Sequence, residues 1–264
     1  MKIFPGSPAR RSAPFTVAHY TLVEALRSGL PWLAGACVLA ALVLSGFLSQ
    51  VAITEARALQ ASVCGALLRA CAVFLIAAHV VASAAREAND KGLELALALP
   101  ISRPAYYLGK LLGYACAGTL VTTLFALPLL LWAKPVDLAA WWISLTIEAV
   151  LIAAAALFFA SALTQTVAAI AATAGLYLLG RSIAAIQAIA AGPLAGDSPA
   201  DHAMRWIVDA LGLLLPRLDA ATRSDWLLYG APAAGELTQT LAGLGLYLVL
   251  LAAAGLFDFS RRNL

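Results

Sequence analysis

The sequence predicts an all-α membrane protein: six transmembrane helices, an N-terminal interfacial helix, and a short membrane-surface helix between spans two and three. Three observations predict it. Of the 264 residues, 62% are hydrophobic and 12% charged, with a mean hydropathy of +0.89, whereas about a quarter of the residues in a soluble domain are charged. The apolar residues fall into six runs, each near the roughly 20 residues a helix needs to cross hydrocarbon. The cations also gather on one set of connections: Lys2, Arg10, Arg11, Arg27, Arg86, Lys91, Arg103, Lys110, Arg261 and Arg262, set against Glu24, Glu87, Asp90, Glu94 and Asp258. By the positive-inside rule, both termini and the connection from 86 to 110 are expected on the cytoplasmic side, as an even number of spans requires. One membrane domain is expected to fill residues 1–264.

In chain order, residues 1 to 31 are too long and too mixed for a signal-peptide n-region. Phe15, Ala18, Leu22, Leu26 and Leu30 recur at helical spacing, while Tyr20, Glu24, Arg27 and Ser28 take the other side, which predicts an amphipathic helix in the interface, ended by Gly29 and Pro31. Span one is read from Trp32 to about Ile53 and span two from about Ala61 to Ala85, with Arg69 well inside its run. Span three runs from about Ala105 to Trp132. Span four follows Lys134, Pro135 and Asp137, is anchored by Trp141 and Trp142, and ends near Leu163. Span five begins near Val167 and has two candidate ends, at Gly180 where Gly-Arg-Ser interrupts it, or at Ala191. Residues 192 to 235 form the longest connection, with an amphipathic piece from Met204 to Leu215, and span six runs from about Leu237 to Phe257.

The connection between spans two and three carries the densest information. Arg86, Glu87, Asp90 and Lys91 open it, Gly92 turns it, and Leu93, Leu95, Leu97 and Leu99 follow with Glu94 among them. Pro100 stops the short helix. Pro104, tolerated in a first helical turn, starts the next one, which runs through Tyr106 and Lys110. The wording Gly92-Leu-Glu94-Leu-x-Leu-x-Leu-Pro100-Ile-Ser-Arg103, followed by Tyr106, Tyr107, Gly109 and Lys110, resembles the cytoplasmic coupling segment of ABC-2 type transporter permease subunits. Leu213 to Asp219 with Trp226, Tyr229 and Gly230, and the close Phe259-x-Arg261-Arg262-Asn263-Leu264, are similar to the permeases of this family related to nitrous-oxide-reductase maturation. Asn263 departs from their usual Asp, and Ala220 and Ala221 from an aromatic.

The resemblance implies a permease that dimerises in the cell (inner) membrane. It would bind two copies of a separate ABC ATP-binding subunit through Arg86, Glu87, Asp90, Lys91, Gly92, Glu94, Pro100 and Arg103, and turn ATP hydrolysis there into export. ATP and Mg would be held by that partner, the permease itself carrying no cofactor. The interfacial helix would be its connecting helix.

The residues themselves exclude several chemistries. Gly109-Lys110 is followed by Leu111, and Pro104 stands where a phosphate-binding loop needs its first Gly, so the chain is not its own ATPase. Hydrolase motifs are missing, no His pair has ligand spacing, and Cys37, Cys64, Cys71 and Cys116 lie in apolar runs as small residues, without Cys-x-x-Cys. Membrane lipid accounts for the cations, and nucleic acid is not expected. The competing readings are a secondary transporter, for which no repeat is found, and an intramembrane enzyme acting on a lipid-linked substrate, for which His202, Asp197 and Asp201 are a weak cluster. Last, Arg69, Glu148 and Arg181 lie about 12 to 14 Å inside their runs when counted at helical rise. A carboxylate level with two cations points to a protein-buried charge cluster joining spans two, four and five, unless span five stops at Gly180 and leaves Arg181 in the interface.

Overall fold

The computed structural model describes residues 9–51, 55–89, 102–163, 165–192 and 199–261. The core of the predicted membrane-surface helix, with Asp90, Lys91, Gly92, Glu94 and Pro100, lies outside the described residues.

The described chain is helical, in the order α1 (Ala9–Arg27), α2 (Leu30–Val51), α3 (Ala56–Asn89), α4 (Arg103–Leu129), α5 (Pro135–Ala162), α6 (Thr166–Ala190), α7 (Pro199–Leu214), a 3-10 turn (Leu218–Ala220), α8 (Trp226–Tyr229) and α9 (Ala234–Arg261). Six of these, α2 to α6 and α9, are long and apolar enough to cross a membrane. Local chemistry sets their limits. Ser28 and Gly29 break the chain after α1, and the Ser28 hydroxyl accepts the Leu30 N–H at 3.2 Å as α2 begins. Pro104 and Pro135 occupy the first turns of α4 and α5, where no intrahelical N–H is needed. The 34 residues of α3 make a rod about 51 Å long, well beyond the ~30 Å of a hydrocarbon core.

Between the two ends expected for span five, the structure shows the longer. The helix α6 passes unbroken through Gly180 to Ala190. The glycine serves a close approach instead of a stop: a Cβ there would sit 2.8 Å from the Pro216 carbonyl oxygen of the returning chain.

The central element is α5, whose residues 151 to 156 are all fully buried among α3, α4, α6 and α9. Antiparallel to α3 lies α2, joined by Gln60 Nε2 donating to the Ser45 carbonyl (2.9 Å) and Cys64 Sγ to that of Ala41 (3.4 Å). The outer faces of α2, α6 and α9 present Trp32, Val43, Phe47, Leu178, Leu246, Val249 and Phe257, an apolar exterior suited to lipid. We call the end holding the C-terminal turns of α1, α3 and α9 and the first turn of α4 the base, and the opposite end, holding the chain from α7 to α8, the crown.

The apolar stripe of α1 divides between the outside and the bundle, where Leu22 packs against the core. Phe15 and Leu26 are exposed, and the packed side is Pro14, Val17, Ala18, Thr21 and Ala25. A Cβ added at Gly109 would meet the Pro14 carbonyl oxygen at 2.7 Å, and one at Gly113 that of Ala18 at 2.8 Å, so the backbones of α1 and α4 touch. Apolar surroundings reverse the soluble rule: with lipid as solvent, burial rewards small residues that permit close approach, and large apolar side chains face outward.

Gly113→Leu therefore forces α1 off α4. We expect an overpacking cost of about 1–3 kcal/mol, seen as a lower unfolding midpoint in detergent and faster proteolysis within residues 9–27, while Gly175→Leu, which has open space around it, leaves both unchanged.

Candidate functional site

The first site lies at the base and is built on one face of α4. Tyr106, Lys110 and Tyr114 are four residues apart and stack along one side of the helix. Glu87, in the last turn of α3, meets Lys110 with Oε2 2.9 Å from Nζ, and the Tyr106 hydroxyl donates to its Oε1. Glu24 of α1 completes the ring. Its Oε2 is 3.8 Å from Lys110 Nζ, and its Oε1 accepts the Ser83 hydroxyl at 2.7 Å and lies 3.7 Å from the Arg86 guanidinium. Tyr114 donates to the Ser83 oxygen at 3.0 Å. Phe259 of α9 closes the ring from outside, its centroid 6.0 Å from Tyr106 and 5.9 Å from Tyr107. A cavity opens between these groups, lined by Glu87, Tyr106, Tyr107, Lys110, Tyr114 and Phe259.

Burial makes the arrangement consequential. The Lys110 side chain is 10% exposed and that of Glu87 25%, so their attraction is weakly screened, whereas Arg86 and Glu24 at 56% and 41% are open to solvent. Three helices, α1, α3 and α4, are thus tied at one point by groups that an apolar bundle cannot leave unpaired, with Phe259 of α9 packed over them.

Of the eight residues predicted for partner binding, Arg86 and Glu87 fall in this network and Arg103 opens α4 just beyond it. The other five lie outside the described residues. Sequence reasoning did not assign Glu24, Ser83, Tyr106, Lys110 and Tyr114 to one network. The spacing of Tyr106, Lys110 and Tyr114 in an otherwise apolar helix was the available signal; nothing local marks Glu24 or Ser83 as its partners.

The second site is at the crown, where residues 216 to 222 return into the bundle between α3, α5 and α6. Leu218, Ala221 and Thr222 are completely buried. The predicted trio converges on this turn. Arg181 donates to the carbonyls of Leu218, Ala221 (2.7 Å) and Thr222 (3.4 Å), and Arg69 to that of Thr222 (2.8 Å). Glu148 is fully buried beside them, with Arg181 and then Arg69 acting on it electrostatically and the Thr222 and Tyr177 hydroxyls nearby. Neither of its oxygens accepts a hydrogen bond of ordinary geometry, and the direct Glu–Arg pair expected from depth alone is replaced by arginine-to-carbonyl bonds. Ser144, one turn from Glu148 on α5, accepts both the Thr222 N–H (2.9 Å) and its hydroxyl (3.0 Å).

No group of three His, Cys, Asp or Glu suited to a metal ion occurs among the described residues; the two sites are ion pairs and hydrogen bonds between helices and turn. Their chemistry is that of holding charge and backbone in place. No protein-family model matches the chain, and comparison with curated proteins finds no match. Fold and sites thus define a class, an all-helical protein with six membrane-length helices carrying buried polar networks at both ends.

Lys110→Met leaves Glu87 without its cation. A partly buried pair broken on one side should cost about 2 kcal/mol, read as a lower unfolding midpoint at both low and high salt. Arg86→Met should cost under about 1 kcal/mol and lose its effect as salt is added.

Proposed function

We propose that the chain is the transmembrane permease subunit of an ABC-2 type exporter, lying in the cell (inner) membrane with both termini cytoplasmic. It works as a homodimer with two copies of a separate ATP-binding subunit, which supplies ATP, Mg and hydrolysis. Residues 86 to 103 are the docking and coupling segment. Arg86, Glu87, Asp90, Lys91, Glu94 and Arg103 offer it polar contacts, and the Leu side of the short helix holds to the bilayer.

One observation carries the reading. The chain just before residue 90 and just after 101 is anchored to the same buried network, Glu87 on one side and Tyr106 with Lys110 on the other. A segment gripped at both ends passes displacement to α3 and α4 together, which a loosely tethered loop does not. In this reading α1 is the connecting helix at the membrane surface: Glu24 ties it to the network, Gly109 and Gly113 seat it, and Phe15 and Leu26 are left to face lipid. The wording of residues 92 to 110 and the missing phosphate-binding loop add to the support.

Replacing Glu94 and Arg103 together by Ala tests it. Membrane insertion and the unfolding midpoint should be retained, while copurification with the ATP-binding subunit, or the ATP turnover it shows in the complex, falls about tenfold, as loss of one or two interface anchors would cause. Undiminished binding and turnover would remove the coupling assignment.

A further inference from the structure

Thr222 is a β-branched residue at φ 45°, a left-handed conformation such side chains rarely adopt. It persists only where its surroundings over-determine it. Here Ser144 takes its N–H and hydroxyl, and two guanidiniums take its carbonyl. The turn is therefore held in a strained form chiefly by bonds to side chains of α3, α5 and α6, its own backbone bonds being those of the single 3-10 turn Leu218–Ala220.

The same donors have a second acceptor within their surroundings. Glu148 is completely buried beside Arg181 and Arg69, with the Thr222 and Tyr177 hydroxyls also near its carboxylate, and neither oxygen accepts a hydrogen bond of ordinary geometry. Guanidinium bonds to a carbonyl and to a carboxylate are both charge-assisted, and the carboxylate adds the attraction of a full opposite charge in a weakly screening interior, which sets it against several carbonyl bonds plus the burial of Leu218 and Ala221. One set of donors, two sets of acceptors and a strained turn are the parts a two-state element needs.

We propose that Arg69 and Arg181 form a two-position clamp: they hold the 218–222 turn in the crown by its carbonyls, and release it by exchanging those carbonyls for the Glu148 carboxylate. Glu148 is thus a positioning residue for the released state, and Ser144 one for the held state. The clamp lies within this chain and needs no nucleotide-binding partner, so its failure and that of the exporter reading are separable.

The test measures how often the turn leaves. In the full chain, with Cys37, Cys64, Cys71 and Cys116 replaced by Ala and Ala221 by Cys, purified in detergent, the rate of reaction with a polar maleimide reports release of position 221. We expect slow but measurable labelling in this parent. Arg181→Gln, which removes most carbonyl bonds, should label about tenfold faster, and Glu148→Gln, which removes the competing charge, about tenfold slower. The opposite signs are the signature. A carboxylate that merely neutralised the two arginines would loosen the turn on removal and speed labelling in both variants. Glu148→Asp, which shortens the side chain and keeps the charge, should also label more slowly and serves if the Gln variant does not fold. Labelling of the Glu148 variant at or above the parent rate, of Arg181→Gln no faster than the parent, or no labelling of the parent at all, each overturns the clamp.

Discussion

Lys110 lies two turns inside a helix that is otherwise apolar, and the base of the molecule is arranged so that its ammonium has somewhere to go. Glu87 reaches it from α3 and Glu24 from α1. That one requirement fixes three helix ends relative to one another, since an ammonium buried in an apolar bundle without a carboxylate would cost several kcal/mol. The remaining contacts at the base follow from it. Tyr106 and Ser83 occupy the carboxylate oxygens that Lys110 does not satisfy, Gly109 and Gly113 let α1 come near enough for Glu24 to reach, and Phe259 covers the aromatic side of the ring.

The crown solves the same problem with different chemistry. There the cations are arginines, whose planar forks bond several acceptors at once, and the acceptors are backbone carbonyls of a chain that leaves and re-enters the bundle. A base built from side-chain ion pairs between long helices is rigid. The crown's turn is held by arginine bonds, Ser144, its own 3-10 backbone bonds and the burial of Leu218 and Ala221, and in the proposed clamp the arginine bonds are the exchangeable part. Between them the centre of α5 is an Ala-rich, fully buried core with no ionisable group past Glu148. The two charged networks are thus separated along α5 by a buried apolar stretch.

The six membrane-length helices were legible from hydropathy, since each lies in a long apolar run with few charges, bounded by Pro, Gly or charge. The level shared by Arg69, Glu148 and Arg181 was also legible, because counting along helices gives depth. What met them there was not: the return of residues 218 to 222 leaves no periodic signal, so the sequence predicted a Glu–Arg pair where the structure bonds both arginines to carbonyls. Gly180 was ambiguous for the same reason, its close approach to Pro216 being tertiary while Gly-Arg-Ser reads locally as a helix end. The side of α1 that packs on α4 was not legible, because the close approach of Pro14 and Ala18 to Gly109 and Gly113 is tertiary. Glu24 and Ser83 carry no local mark of their partners.

The most direct test of the account is to learn what touches the short segment gripped by the base network. A photo-crosslinking amino acid placed at position 94 of the chain, expressed in its native membrane, should on illumination yield a covalent adduct with a protein that carries a phosphate-binding loop. An adduct formed only with lipid or with this chain itself, while the protein is correctly inserted, would contradict it.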